Sequence, residues 1–171
     1  MSRWFERYGH ARIRPGLIVG AIPLDRDDAI ELTALGVSEV YNLCQDSEYG
    51  DGRRRAAAGR DRAAAALADA GIPERRLPLP DYGRLPSWAI EQACDDVRGS
   101  LAAGRTVYLH CRAGWQRSAA MAAAIVALED GIPIDAALAA VRARKPTADP
   151  LPHQRQDLLD WQAARTGGAA A

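Results

Sequence analysis

Two consecutive apolar segments constrain the fold most: Thr106–His110 (TVYLH) and Arg117–Glu129 (RSAAMAAAIVALE), joined by a short link. The first is a brief apolar run without polar alternation, which reads as a strand covered on both faces. The second is apolar nearly all round, so as a helix it must be enclosed rather than laid on a surface. A buried strand feeding a buried helix demands layers on both sides of a sheet.

The remaining segments fit that demand. Leu17–Gly20 (LIVG) reads as a strand behind the turn Arg14-Pro15-Gly16. Asp25–Gly36 reads as a helix with an acidic start and a glycine stop. Val37–Leu43 (VSEVYNL) is a second strand, and the polar stretch Asp46–Arg55 a loop. Ala56–Ala70 is a helix closed by Gly71. Arg75–Pro80 is extended, because residues before prolines avoid helical torsions. Helices are then predicted from Pro86 to near Gly104, over Ile134–Arg144 and over Leu151–Arg165. The expected fold is a single α/β domain with a central, mostly parallel sheet of about four or five strands, flanked by helices on both faces. It spans residues 1–165, and the small-residue stretch 166–171 is expected to be a disordered tail.

At 171 residues one substantial core is expected. The 22 basic and 22 acidic residues balance, so net charge offers no argument for a nucleic-acid or membrane partner. The three cysteines, Cys44, Cys94 and Cys111, are too few and too scattered for a disulfide framework or a zinc site. Trp4-Phe5-Glu6-Arg7 leaves no apolar signal run, and Ala119–Leu128 is too short to cross a bilayer. A reducing cytoplasm fits best, where a thiol can be kept for chemistry. No metal and no cofactor is called for, and the oligomeric state is left open.

The chemistry lies in the link, His110-Cys-Arg-Ala-Gly-Trp-Gln-Arg-Ser118. A loop between a buried strand and a helix start can aim several N–H groups at one point, backed by the helix dipole. Such a cradle holds a phosphoryl group. Gly114 supplies the torsions that let it curl, and Arg112, Ala113, Trp115 and Gln116 complete its rim. Cys111 lies at the floor, where donors and Arg117 favour the thiolate, the nucleophilic form. Five residues separate Cys111 from Arg117, which can return a planar fork over the sulfur and hold two oxygens. Ser118 can hydrogen-bond the sulfur. His110 serves either to fix the loop or as a packed histidine at a strand end. Asp81, in the proline-bounded loop Leu79–Ser87, is the candidate proton donor, better placed than Asp95 or Asp96 inside a predicted helix.

The stretch His110–Ser118 resembles the H-C-x-x-G-x-x-R-S signature of the cysteine-based protein phosphatases. The chain is similar to their small dual-specificity branch from about Ile13 to Trp161, and departs from it at Trp115 and Gln116. The resemblance implies hydrolysis of phosphate monoesters through a phosphocysteine, with phosphotyrosine, and phosphoserine or phosphothreonine beside it, in a protein or peptide as substrate. It implies Asp81 as general acid. It also brings forward Gln154, which matches a water-placing glutamine in some relatives and competes with Gln156. Cys44 matches a cysteine able to form a reversible disulfide with the nucleophile; the plainer reading is a buried small hydrophobe. Asp46, Glu48 and Asp51, with Arg53, Arg54 and Arg55, read as a solvated charged loop.

Three alternatives remain at this level. Rhodanese-like sulfurtransferases also hold a cysteine in an anion cradle, but with a shorter loop and no need for Asp81. A phosphoresidue-binding module without turnover would be expected to lack Cys111 or Arg117. A lipid or sugar phosphate is the third.

Overall fold

In the computed structural model, which describes residues 1–50 and 52–168, five strands form one sheet in the order β1-β2-β5-β3-β4. They are β1 (His10–Arg14), β2 (Leu17–Gly20), β3 (Glu39–Asn42), β4 (Glu74–Arg76) and β5 (Val107–His110). β5 lies between β2 and β3 and runs parallel to both; only the β1–β2 hairpin is antiparallel. The expected α/β architecture is the one observed, with the apolar run Val107–His110 at its centre.

Pleating sorts the strand residues onto two faces. Leu17, Val19, Tyr41, Val107 and Leu109 join the larger core, with helices α4 (Ser87–Ala102), α5 (Arg117–Asp130), α6 (Ile134–Arg144) and α7 (Pro152–Gly168). Ile18, Val40 and Tyr108 face the smaller core, with α1 (Arg3–Tyr8), α2 (Arg26–Ala34) and α3 (Arg53–Asp69). The α5 side chains from Arg117 to Ala127 are all buried, as an all-round apolar helix requires.

The sequence reading missed several features. Ser2 caps α1 by accepting a hydrogen bond from the Phe5 amide, and Phe5 is buried beneath it. β1 had no strand of its own in that reading, which placed Arg14 in the turn ahead of Leu17. The stretch 46–55, expected to be a loop, contains a 3-10 turn (Asp46–Tyr49) and the start of α3 at Arg53; Asp51 lies outside the described residues. At the other end α7 continues to Gly168, so Thr166, Gly167 and Gly168 are helical rather than a loose tail; 169–171 lie outside the described residues. Among the described residues no helix is long and apolar enough to cross a membrane.

Candidate active site

The carboxyl end of β5 delivers Cys111 to the mouth of the sheet, and the chain wraps from there into α5. Two constraints shape that wrap. Gly114 has φ +73, and a Cβ there would meet the backbone carbon of Gly20 at 2.6 Å, so both torsion and space demand glycine. Two carbonyls of the loop are also fastened outward. Arg112 O accepts from Ile22 N at 3.1 Å and from Trp4 Nε1 at 2.7 Å, and Trp115 O accepts from Asp149 N at 2.7 Å. In a trans peptide the N–H points opposite the carbonyl, so the Ala113 and Gln116 N–H groups turn inward. The first turn of α5 adds its own amides, and no side chain caps them.

The result is a cavity of about 330 Å³ lined by Cys111, Arg112, Ala113, Trp115, Gln116, Arg117, Asp81, Tyr82, Trp4 and Tyr8. Cys111 is 3% exposed, at its floor, and the Ser118 hydroxyl stands 3.3 Å from the sulfur. The structure thus brings the expected cysteine, arginine, aspartate and serine into one place.

Arg117 is 1% exposed and tightly bound. Its Nη1 donates to Glu48 Oε1 at 2.8 Å and to Leu79 O at 2.8 Å; its Nη2 donates to Glu48 Oε2 at 2.6 Å and to Asp81 Oδ1 at 2.8 Å. Desolvation alone would pull this guanidinium's pKa down, but the Glu48 hydrogen bonds and the neighbouring Cys111 and Glu48 charges hold it above its ordinary value. Arg117 Nε is buried with no protein partner, a donor left for a ligand.

Glu48 is the functional side chain that sequence reasoning missed. It was expected in a solvated loop, yet it is 8% exposed and grips Arg117 with both oxygens. Its local signal was a capping box, in which the Gln45 amide donates to Glu48 Oε1 at 2.8 Å. Arg53, Arg54 and Arg55 are exposed on α3 and line no part of the cavity.

The loop of Asp81 turns tightly, with Gly83 N bonded to Pro80 O at 3.0 Å and Tyr82 at φ +56. α7 pins it. His153 Nε2 contacts the carbonyl oxygens of Tyr82 and Gly83 at 3.1 and 3.2 Å, Asp157 Oδ2 accepts from Leu85 N at 2.7 Å, and Asp157 pairs with Arg84. Gln154, expected on a solvated helix face or beside a catalytic water, is fully buried. Its Nε2 donates to Gly83 O at 3.0 Å and its Oε1 accepts from Leu151 N at 3.2 Å, so its amide is committed to the loop's backbone. Gln156 is exposed and bonds Asp160.

His110 is fully buried, with Nδ1 3.2 Å from Cys111 O and 3.9 Å from Cys44 Sγ. Burial pushes its pKa down to about 3, so the ring is neutral, and the carbonyl contact calls for the Nδ1–H tautomer. Cys44 is a free, buried thiol that desolvation holds well above the ordinary range. Cys94 is packing within α4.

A strand, an anion-cradling loop and a helix, with cysteine, arginine and aspartate converging, are the parts of a phosphate-ester hydrolase. A protein-family model described as "Tc-R-P: Polymorphic toxin system, DSP-PTPase phosphatase" matches residues 26–130. The chain belongs to this DSP-PTPase phosphatase family. It is accordingly a phosphatase domain of the cysteine-based superfamily, acting on phosphate esters, and sulfur transfer is set aside. Among curated protein sequences none matches. Among solved structures this phosphatase is similar in fold to PTPMT1, with a TM-score of 0.76 and 22% identity over 95% of this chain and 99% of that one. PTPMT1 in complex with PI(5)P aligns with a TM-score of 0.78 and 21% identity, over 94% and 98% of the two chains. Human DUSP28 aligns with a TM-score of 0.70 and 21% identity, over 92% and 99%.

Proposed function

We propose that this phosphatase hydrolyses phosphotyrosine in protein or peptide substrates through a phosphocysteine at Cys111. The observation that carries the reading is the Cys111 sulfur, 3.3 Å from the Ser118 hydroxyl, at the floor of a cavity that also holds Arg117 and Asp81. The sulfur anion attacks phosphorus, an S–P bond forms and the ester P–O bond breaks, and the leaving oxygen takes the proton of Asp81. The inward amides of Ala113 and Gln116, with the Arg117 guanidinium, carry the charge that spreads over the phosphoryl oxygens. In the second step water attacks phosphorus, Asp81 takes its proton, and the S–P bond breaks. The Ser118 hydroxyl then donates to the departing thiolate.

The aromatic side chains Trp4, Tyr8, Tyr82 and Trp115 that flank the cavity favour tyrosine as the esterified residue. A lipid phosphate is the second reading, supported by the PTPMT1 fold neighbour solved with PI(5)P. The deciding experiment measures phosphate release from matched phosphotyrosine and phosphothreonine peptides and from PI(5)P vesicles, with Cys111→Ser as control. Turnover is expected to be fastest on the phosphotyrosine peptide and abolished in Cys111→Ser. Faster release from the vesicles would replace the protein substrate by a lipid, and turnover surviving in Cys111→Ser would remove the nucleophile.

A further inference from the structure

The cavity's floor and part of its wall come from different parts of the chain. Cys111, Arg117 and Asp81 fall within the family-matched residues 26–130, whereas Trp4 and Tyr8 come from α1, ahead of them. The Tyr8 ring meets Trp115 nearly edge-on, with centroids 5.1 Å apart and planes at 69°. It also packs against Trp4, with ring centroids 4.4 Å apart. Trp4 is itself anchored, donating from Nε1 to Arg112 O at 2.7 Å, with the Arg112 guanidinium 5.0 Å above its ring.

The helix that carries these rings is locked to the body. Phe5 is fully buried in the smaller core. Ser2 N and Oγ donate to the two Asp28 carboxylate oxygens at 2.7 and 2.6 Å, and Lys145 Nζ donates to Tyr8 O at 3.1 Å. Trp115 is tied through its carbonyl to Asp149, yet the residue stays 38% exposed. Tyr82, on the loop of Asp81, is 68% exposed beside the same cavity.

We infer that Tyr8 and Trp115 form a preset wall that selects phosphate esters of planar aromatic alcohols over those of aliphatic alcohols. The inference rests on the reading of Cys111 as the nucleophile and names the residues that set its leaving-group preference. The nucleophile is recessed, so phosphorus must be carried inward on a group that fits the space beside these fixed rings. An aryl ring fills that space and gains offset or edge-to-face contacts, whereas a seryl or threonyl stem leaves the aromatic surface uncovered. Because neighbours already hold both rings, stacking on them sacrifices little side-chain freedom. Trp115 touches the leaving group; Tyr8 is a positioning residue that keeps Trp115 in place.

The test uses the full chain and two peptides identical except for phosphotyrosine or phosphothreonine at one position. Each enzyme's kcat/KM ratio between them is compared with wild type, so the different reactivity of aryl and alkyl esters cancels. Tyr8→Ala and Trp115→Ala are each expected to raise KM for the phosphotyrosine peptide about fivefold and to narrow the ratio. Tyr8→Phe is expected to restore it, since the ring and not the hydroxyl forms the wall. An unchanged ratio in Trp115→Ala overturns the inference, as does Tyr8→Phe behaving like Tyr8→Ala. Thermal melts identify a variant that fails to fold, and the Trp115 variant then decides alone. If wild type releases phosphate from neither peptide, the reading of a protein or peptide substrate falls and takes the wall with it, a result distinct from turnover with an unaltered ratio.

Discussion

His110 sits directly before Cys111 as a neutral, fully buried ring, and that burial makes it an acid-sensitive point of the fold. In the unfolded chain a histidine takes up a proton near 6.5, but here burial has lowered the value to about 3. Between those values the unfolded state binds the extra proton, so stability is complete above about 6.5 and declines as pH falls toward 3. His110→Asn keeps a polar group near Cys111 O and removes the titration. Urea unfolding at pH 7 and pH 4.5 is expected to show wild type losing about 2 kcal/mol more than the variant over that interval. Equal losses would show that the ring is charged or solvated in the folded protein. Legibility at this scale depended on the range of the contacts. Cys111, Arg117, Ser118 and Gly114 were readable because their geometry is local to one loop. Glu48 was not, because a carboxylate in a polar run looks solvated until its partner, Arg117, far along the chain, is known.

Among the elements, α7 shows how a helix without a residue in the cavity can govern it. His153, Gln154 and Asp157 hold the backbone of the loop that presents Asp81. Gln154→Ala leaves Leu151 N without its partner and Gly83 O with His153 alone, a loss of about 1–3 kcal/mol in a buried setting. The loop should loosen while the anion cradle stays intact. Kinetics are therefore expected to show kcat falling several-fold with the inhibition constant for vanadate unchanged; a parallel weakening of vanadate would place the damage in the cradle. The apolar helices α5 and α6 and the short run β5 were legible because periodicity and continuity write themselves into such segments. α1 was not, because a six-residue helix is too short to be stable alone and exists through Phe5, the Ser2 cap and Lys145. β1, HARIR at the sheet's edge, does alternate, but with only Ala11 and Ile13 apolar in five residues the pattern is too short to declare a strand.

For the molecule as a whole, stability and chemistry are separable. The larger core, on the side of α4 to α7, contains Trp161, 2% exposed and tied through Nε1 to Glu91 at 2.8 Å. Trp161→Ala opens a cavity there and is expected to lower unfolding free energy by about 3–5 kcal/mol. Below the shifted transition KM should be unaltered, which denaturant titration beside steady-state kinetics can check. A raised KM in a fully folded variant would mean that this core and the phosphate site share one packing unit.

The bond between Arg117 Nη2 and Asp81 Oδ1 commits a hydrogen that a phosphoryl oxygen would also seek. An arriving phosphate dianion has to compete with a carboxylate for the same Nη2 hydrogen, while Glu48 keeps the guanidinium from following either rival. An anion that wins that exchange sets the Asp81 carboxylate free of its cation, so admission of the substrate and release of that side chain become a single event.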